Sequence, residues 1–145
     1  MATSERQELK GLIAEIPFSS VNHMLNHSFR QEIRLPGFPF AIVTKWISEL
    51  RLGIDLDRLA PVEVIDKISP RPVFLIDDEE DTVFPPDSVE LLYAAAREPK
   101  EFWQVPGCPH GQARQCVPEE FERRVVTFWR ETFGNPNPVN PTGGF

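Results

Sequence analysis

The stretch Pro-Arg-Pro-Val-Phe-Leu-Ile-Asp-Asp-Glu-Glu-Asp-Thr-Val-Phe-Pro-Pro, residues 70–86, decides the fold. Four apolar residues in a row, Val73 to Ile76, lie between a proline and a run of acids, and this pattern is typical of a buried central strand in a parallel sheet. The acids that follow, Asp77 to Asp81, come directly after that strand. In open α/β sheets the carboxyl ends of the strands carry the functional groups, so we expect these acids at the functional edge.

A second apolar segment leads to a histidine. Phe102 to Val105 predicts the next strand, and the segment Pro-Gly-Cys-Pro-His-Gly, residues 106–111, follows it. The strand ends of a parallel sheet meet at one edge, so Asp81 and His110 are expected to lie close together. A carboxylate in that position can orient and charge-balance a catalytic imidazole.

Helical patterns separate the strands. Asp87 to Ala96 predicts a helix, with Asp87 and Glu90 as a capping box. Pro61 to Ile68 predicts a short helix, and Pro118 to Phe133 a long one that ends at Gly134.

The first half of the chain is less regular. A short apolar run within residues 9–18, ended by a proline, fits a first parallel strand, whereas residues 21–35 are ambiguous between helix and loop. Helical spacing then predicts an amphipathic helix that ends at Gly53 and turns its apolar face to the core. The residues of that face are Phe40, Val43, Trp46, Ile47 and Leu50.

The alternation of strands and helices predicts the α/β class, with about three parallel strands and helices on both faces of the sheet. At 145 residues, one domain over residues 1–133 is the default. The Asn, Pro and Gly content of residues 134–145 predicts a disordered tail.

Composition narrows the function. The net charge of −7 argues against nucleic-acid binding, which needs clustered Lys and Arg. No apolar run is long enough for a membrane span, and the polar amino terminus lacks the core of a signal peptide, so we expect a cytoplasmic protein.

The two cysteines, Cys108 and Cys116, are expected to be free thiols, because disulfides are rare in that compartment. With His110 they do not make a structural zinc site, since the spacing lacks a C-x-x-C pair and a fourth ligand. We expect no metal and no cofactor.

The residues quoted above resemble the α/β-hydrolase superfamily, in particular its esterase and serine-peptidase-like branch. The matching segments are Pro70-Arg71-Pro72, Asp81-Thr82-Val83-Phe84-Pro85-Pro86 and Pro106-Gly107-Cys108-Pro109-His110-Gly111. The resemblance covers roughly residues 9–133, and it implies the carboxyl-terminal half of a hydrolase fold. It also implies that Asp81 is the triad acid and His110 the triad histidine, and that residues 21–65 form a helical cap-like insertion.

Two departures from the family pattern stand out. Asp77-Asp78 replace the usual His-Gly, which adds negative charge beside Asp81 and predicts a carboxyl pKa raised by repulsion. The second departure is larger, because no G-x-S-x-G nucleophile elbow occurs in the chain.

Other residues are poor substitutes for the missing nucleophile. Ser19 and Ser20 lack the flanking glycines of an elbow, and the proximity of Cys108 to His110 along the chain does not make a dyad. His23 and His27 could share a helix face, but without acidic partners they are expected to be surface or cap residues.

Two hypotheses follow from these patterns. The first is an incomplete hydrolase of esters or amides, inactive alone, whose open sheet edge at residues 11–16 self-associates or binds a partner chain. The second is a non-catalytic binding or interaction module derived from the same fold, which would hold a partner or an apolar small molecule at the same edge or at the cap-like helices around Trp46. Substitution of His110 separates them, because only a hydrolase needs the imidazole.

Overall fold

In the computed structural model, which describes residues 8–31 and 33–134, three parallel strands form one sheet. The strands are β1 (Leu12–Glu15), β2 (Val73–Asp78) and β3 (Lys100–Val105), and they lie side by side in that order. The predicted central position of β2 is confirmed, since β1 pairs with one of its edges and β3 with the other. The outer edge of β1 pairs with no other described strand.

The predicted short helix over residues 61–68 is instead a pair of 3-10 turns, whereas the other predicted helices are present with small shifts in their ends. Between and after the strands of the described chain lie α-helices. They are α1 (Val21–Gln31), α2 (Gly37–Leu52), α3 (Ser88–Ala95), the short α4 (Ala113–Cys116) and α5 (Pro118–Phe133). Three 3-10 turns lie between α2 and β2, at Leu56–Arg58, Pro61–Glu63 and Ile65–Ile68. The ambiguous segment at residues 21–35 is therefore helical over most of its length. Of the predicted disordered tail, residues 135–145 lie outside the described part of the chain.

The core lies on both faces of β2, because successive side chains of a strand point to opposite sides. Val73 and Leu75 face one cluster, whose other buried members come from the last 3-10 turn and α3: Ile65, Ile68, Val89, Leu92 and Ala96. Phe74 and Ile76 face the second cluster, which β3, α5 and the loop between them complete: Trp103, Val105, Cys108, Ala113 and Phe128. Every residue of β2 is buried, so this strand joins the two clusters.

The expected orientation of α2 is wrong. The helix ends at Gly53 as predicted: Gly53 adopts a left-handed conformation, and its N–H bonds Glu49 O. Its predicted core face, however, is exposed, with Trp46 at 76% and Leu50 at 87%. The periodicity identified an apolar stripe, but a charged stripe of the same helix, including Lys45 and Glu49, faces the protein and forms its hydrogen bonds there.

The predicted capping box is also wrong. Asp87 stands at the N-cap of α3, but its side chain makes no capping hydrogen bond. The carboxylate is drawn instead to His23 of α1, with Oδ1 3.2 Å from Nε2. A long-range partner thus replaces the local one.

The expectation of free thiols is corrected as well. Cys108 and Cys116 form a disulfide, with Cα atoms 6.1 Å apart. The loop after β3 turns back at His110 and enters α4, which brings the second cysteine to the first. The crosslink closes a short loop around His110.

None of the helices in the described part of the chain has the length and apolar character that crossing a bilayer requires.

We expect Phe74→Ala to be the more damaging of two matched truncations. Phe74 is almost fully buried and packs its ring against Trp103 and Phe128. Its loss should lower the free energy of unfolding by about 3–5 kcal/mol. Leu91→Ala on the exposed side of α3 should cost less than about 1 kcal/mol. Urea denaturation measures both, and equal losses would contradict a core built on β2.

Removal of the crosslink should destabilise the chain measurably. Cys116→Ser should lower the free energy of unfolding by about 2–3 kcal/mol, because a closed loop of this size restricts the unfolded chain. Cys116 is exposed, so the substitution leaves the packing of Cys108 in place. Reduced wild-type protein should show the same loss in denaturant unfolding, and an unchanged midpoint after reduction would refute the disulfide.

Candidate active site

Asp81 and His110 meet at the carboxyl edge of the sheet. Asp81 Oδ2 lies 2.9 Å from His110 Nδ1. The sequence placed these residues after neighbouring strands, and the structure brings them into hydrogen-bonding contact. The pairing is that of a carboxylate that orients an imidazole.

Backbone N–H groups of its own loop bind the second oxygen of the Asp81 carboxylate. Oδ1 accepts hydrogen bonds from the backbone N–H groups of Val83, at 2.7 Å, and Phe84, at 3.2 Å. The Asp81 N–H in turn donates to Asp78 O, which closes a turn at the end of β2. With a side chain only 6% exposed, Asp81 is a fixed and largely dry acceptor for the imidazole.

Carboxylates of the acid loop also hold the histidine loop. Gly107, which has a left-handed φ of 64°, donates its N–H to Glu79 Oε2. Gln112, two residues after His110, donates its N–H to Asp78 Oδ2. The N–H of Glu80 bonds Cys108 O across the gap. Hydrogen bonds therefore join the two loops on both sides of the Asp81–His110 pair.

The imidazole presents its second nitrogen to the outside. Phe84 packs against the ring edge to face, with centroids 4.9 Å apart, and the side chain of His110 is 36% exposed. Nδ1 is engaged by Asp81, and no residue within the described chain hydrogen-bonds Nε2. When Nδ1 carries the proton of the neutral ring, Nε2 has a free lone pair for a proton donor.

Asp77 and Asp78, which replace the family's His-Gly, are both buried. Burial is the main cause that raises the pKa of each carboxyl above its ordinary value, and the charge of Asp81 adds a smaller effect. Hydrogen bonds from Gln104 to Asp77 and from the backbone of Gly111 and Gln112 to Asp78 work against that rise. The predicted rise is found on these two residues, with desolvation rather than repulsion as its largest cause.

A second chain of polar contacts escaped the sequence analysis. Ser19 Oγ lies 2.8 Å from His23 Nδ1, while His23 Nε2 contacts Asp87. His23 therefore has the acidic partner that the sequence analysis did not foresee. Ser19 is buried, so its hydroxyl ties the end of β1 to α1 and is closed to a substrate.

The remaining candidate nucleophiles and bases have other contacts. Ser20 Oγ accepts the N–H of His23 in the first turn of α1. Cys108 is buried in the disulfide and has no thiol to react. His27 lines the same open cleft as Asp81 and Thr82.

Within the described residues, Glu49, Asp55 and Asp57 are the acids placed closely enough to share a cation. They lie far along the chain from Asp81, and Lys45 already pairs with Glu49 and Asp57. The ammonium group thus offsets part of the negative charge of the cluster.

At the level of sequence, comparisons with known proteins give a relative but no family. No protein-family profile matches the chain. It is 33% identical over 116 residues to the uncharacterized protein YqkD of Bacillus subtilis, a match that covers 80% of this chain and 38% of YqkD.

Solved structures match nearly the whole chain but only part of each neighbour. The esterase Pf2001 of Pyrococcus furiosus matches 92% of this chain and 48% of its own, with a TM-score of 0.65 and 25% identity. A puromycin-hydrolyzing peptidase of Mycobacterium tuberculosis matches 92% of this chain and 20% of its own, with a TM-score of 0.61 and 18% identity. The chain thus spans about half the length of the esterase. Its three parallel strands and their flanking helices form a partial α/β-hydrolase fold.

Proposed function

We propose that this chain is the acid- and base-bearing part of a serine hydrolase that cleaves esters or amides through an acyl-enzyme. The observation that carries the proposal is the 2.9 Å contact between Asp81 Oδ2 and His110 Nδ1, with Nε2 left open. In this assignment His110 is the general base, and Asp81 orients it and balances its charge.

The geometry supports each proton transfer. Asp81 accepts the Nδ1–H of the neutral imidazole, which leaves the Nε2 lone pair to take the proton of an attacking hydroxyl. The imidazolium formed then lies against a buried carboxylate, which stabilises its charge. Nε2 next gives the proton to the leaving alcohol or amine, and the cycle repeats with water to release the acid.

The nucleophile must come from outside the described residues. Ser19 is closed off by burial and by His23, and Cys108 is in a disulfide. Among the described residues no strand pairs with the outer edge of β1, and a further parallel strand there would end at the same edge of the sheet as Asp81 and His110. We therefore assign the serine to a segment that pairs with residues 11–16, and we expect the chain alone to be inactive.

The matched proteins support this chemistry in a general form. One solved neighbour is an esterase and another is a puromycin-hydrolyzing peptidase, so both ester and amide cleavage occur on related folds. We assign a carboxylic ester or amide as the substrate class of the assembled enzyme.

A non-catalytic interaction module is the second candidate. The lack of a G-x-S-x-G elbow in the 145 residues favours it. Such a module would bind its partner as well after His110→Ala as before, whereas a hydrolase would lose turnover.

The tautomer of His110 tests the acid–base pair without a nucleophile. In the neutral ring of the wild type we expect the proton on Nδ1, because a carboxylate can only accept there. Asp81→Asn offers an amide donor to Nδ1 and should move the proton to Nε2. Nitrogen-15 NMR of the ring distinguishes the two forms. Asp87→Asn, beside His23, is the matched control and should leave the His110 signals unchanged; the same tautomer in Asp81→Asn would contradict the assignment.

Turnover tests the hydrolase itself. We expect no hydrolysis of p-nitrophenyl acetate by this chain, and activity once it is joined to the coding sequence upstream of the Met1 codon. Asp81→Asn should then lower kcat by about 10⁴-fold, through the wrong tautomer, and His110→Ala by at least as much. Glu80→Gln, a neighbouring acid without contact to His110, should change kcat less than about twofold.

Two results would count against the proposal. An upstream frame without a G-x-S-x-G segment favours the interaction module, whereas turnover that survives His110→Ala contradicts the assignment of His110 as the general base. A stop codon immediately upstream moves the test to a separate chain. A fluorophosphonate probe should then label a serine in a protein that co-purifies with this one, and His110→Ala should abolish that labelling.

A further inference from the structure

Exposed apolar side chains concentrate on the surface of α2. They form a continuous face, called here the outer face: Phe40, Ile42, Val43, Trp46, Ile47 and Leu50. Phe38, near the start of α2, has a non-helical backbone and is 75% exposed. No other helix of the described chain carries a comparable set.

The helix is oriented opposite to the usual rule for a surface helix, which turns its polar side to water. Ala41, Lys45 and Glu49 recur every four residues, so they share one side, and that side faces the protein. Ala41 is buried, Lys45 pairs with Asp57, and Glu49 Oε1 accepts the N–H of Leu56. Lys45 and Glu49 thus find their partners on the side that faces the protein, and these bonds fix the outer face away from the core.

The outer face has the size of a protein interface. Its six side chains are exposed by between 41%, for Phe40, and 87%, for Leu50. Together they present on the order of 700 Å² of apolar surface, beyond the roughly 300–600 Å² of the largest patch on a typical monomer. A stable protein–protein interface buries about 800 Å² on each partner. The outer face thus approaches the size of one side of such an interface.

Charge favours a protein over an anionic membrane. The chain carries a net charge of −7, which repels anionic lipid, and Arg51 is the one charged residue beside the outer face on α2. Adsorption to such lipid normally needs a cluster of four or more basic residues. A partner that offers an apolar helix of its own fits the face better.

We propose that a second copy of this chain covers the outer face, with the two α2 helices antiparallel about a two-fold axis near Trp46. The face is then its own complement: Trp46 packs on Trp46, and Ile42 of one copy meets Leu50 of the other. At 1.5 Å per residue, the two Arg51 side chains lie about 15 Å apart, beyond the roughly 8 Å over which charges act in physiological salt. A parallel arrangement would place them side by side.

Sedimentation velocity over a concentration series tests the dimer in the full chain. We expect wild-type dimers that dissociate on dilution, and a dissociation constant raised about 30-fold or more by Trp46→Glu, which puts two carboxylates near the axis. Val126→Glu, on an exposed apolar residue of α5, is the matched control and should dimerise as the wild type does. Leu50→Lys repeats the test if Trp46→Glu lowers the melting temperature.

Cysteine crosslinking tests the register. The native cysteines are paired, so Ile47→Cys adds one thiol close to the proposed axis. Under mild oxidation it should give a disulfide-linked dimer, whereas Leu50→Cys alone should not, because its mate in the second copy lies about 12 Å along the helix. Ile42→Cys combined with Leu50→Cys should restore the crosslink. Crosslinking of Leu50→Cys alone would overturn the antiparallel arrangement.

Three other outcomes of these experiments are possible, and each of them overturns the proposal. A wild-type monomer at all concentrations that sediments with phosphatidylserine vesicles assigns the face to a membrane. A monomer that ignores vesicles leaves no role for a second copy. A dimer unaffected by Trp46→Glu and Leu50→Lys assigns the contact to another surface, and the open edge of β1 is then the first to examine.

Discussion

The burial of β2 on all sides is the constraint on which the rest of this structure depends. Its side chains enter two separate apolar clusters, and both of its edges bond to parallel neighbours. Such a strand has one permitted register, because a shift by one residue would exchange the two clusters. The loop that begins at Asp78 therefore starts from a fixed point, and so does the carboxylate of Asp81. The packing of the apolar side chains of β2 therefore fixes the position of the Asp81 carboxylate, although those side chains do not contact His110 through hydrogen bonds.

The fold could be predicted from the sequence because its signals are local. Four consecutive apolar residues before a run of acids identified β2, and the helical period with Pro118 and Gly134 identified α5. The meeting of Asp81 and His110 also followed from strand order alone, since parallel strands end at one edge. These inferences need only the identity and spacing of residues.

The errors share a different cause, which is dependence on contacts outside the element that carries the pattern. Asp87 resembled a helix cap, but His23 takes its side chain. Lys45 and Glu49 lie on the polar side of α2, and their bonds to Asp57 and Leu56 turn that side toward the protein. The cysteine pair depended on how the loop after β3 turns back. Periodicity shows that a helix has one apolar and one polar side, but it does not show which of them packs against the rest of the protein.

The hydrogen bonds between the two loops at the carboxyl edge limit the relative motion of Asp81 and His110. Glu79 and Asp78 accept backbone N–H groups on either side of His110, and the disulfide closes the histidine loop upon itself. Acid and imidazole must then travel as one rigid body, so thermal fluctuations change their separation little. In the proposed hydrolase, adjustment to substrates of different size would therefore fall to the segments that face this edge of the sheet, while the edge itself stays fixed.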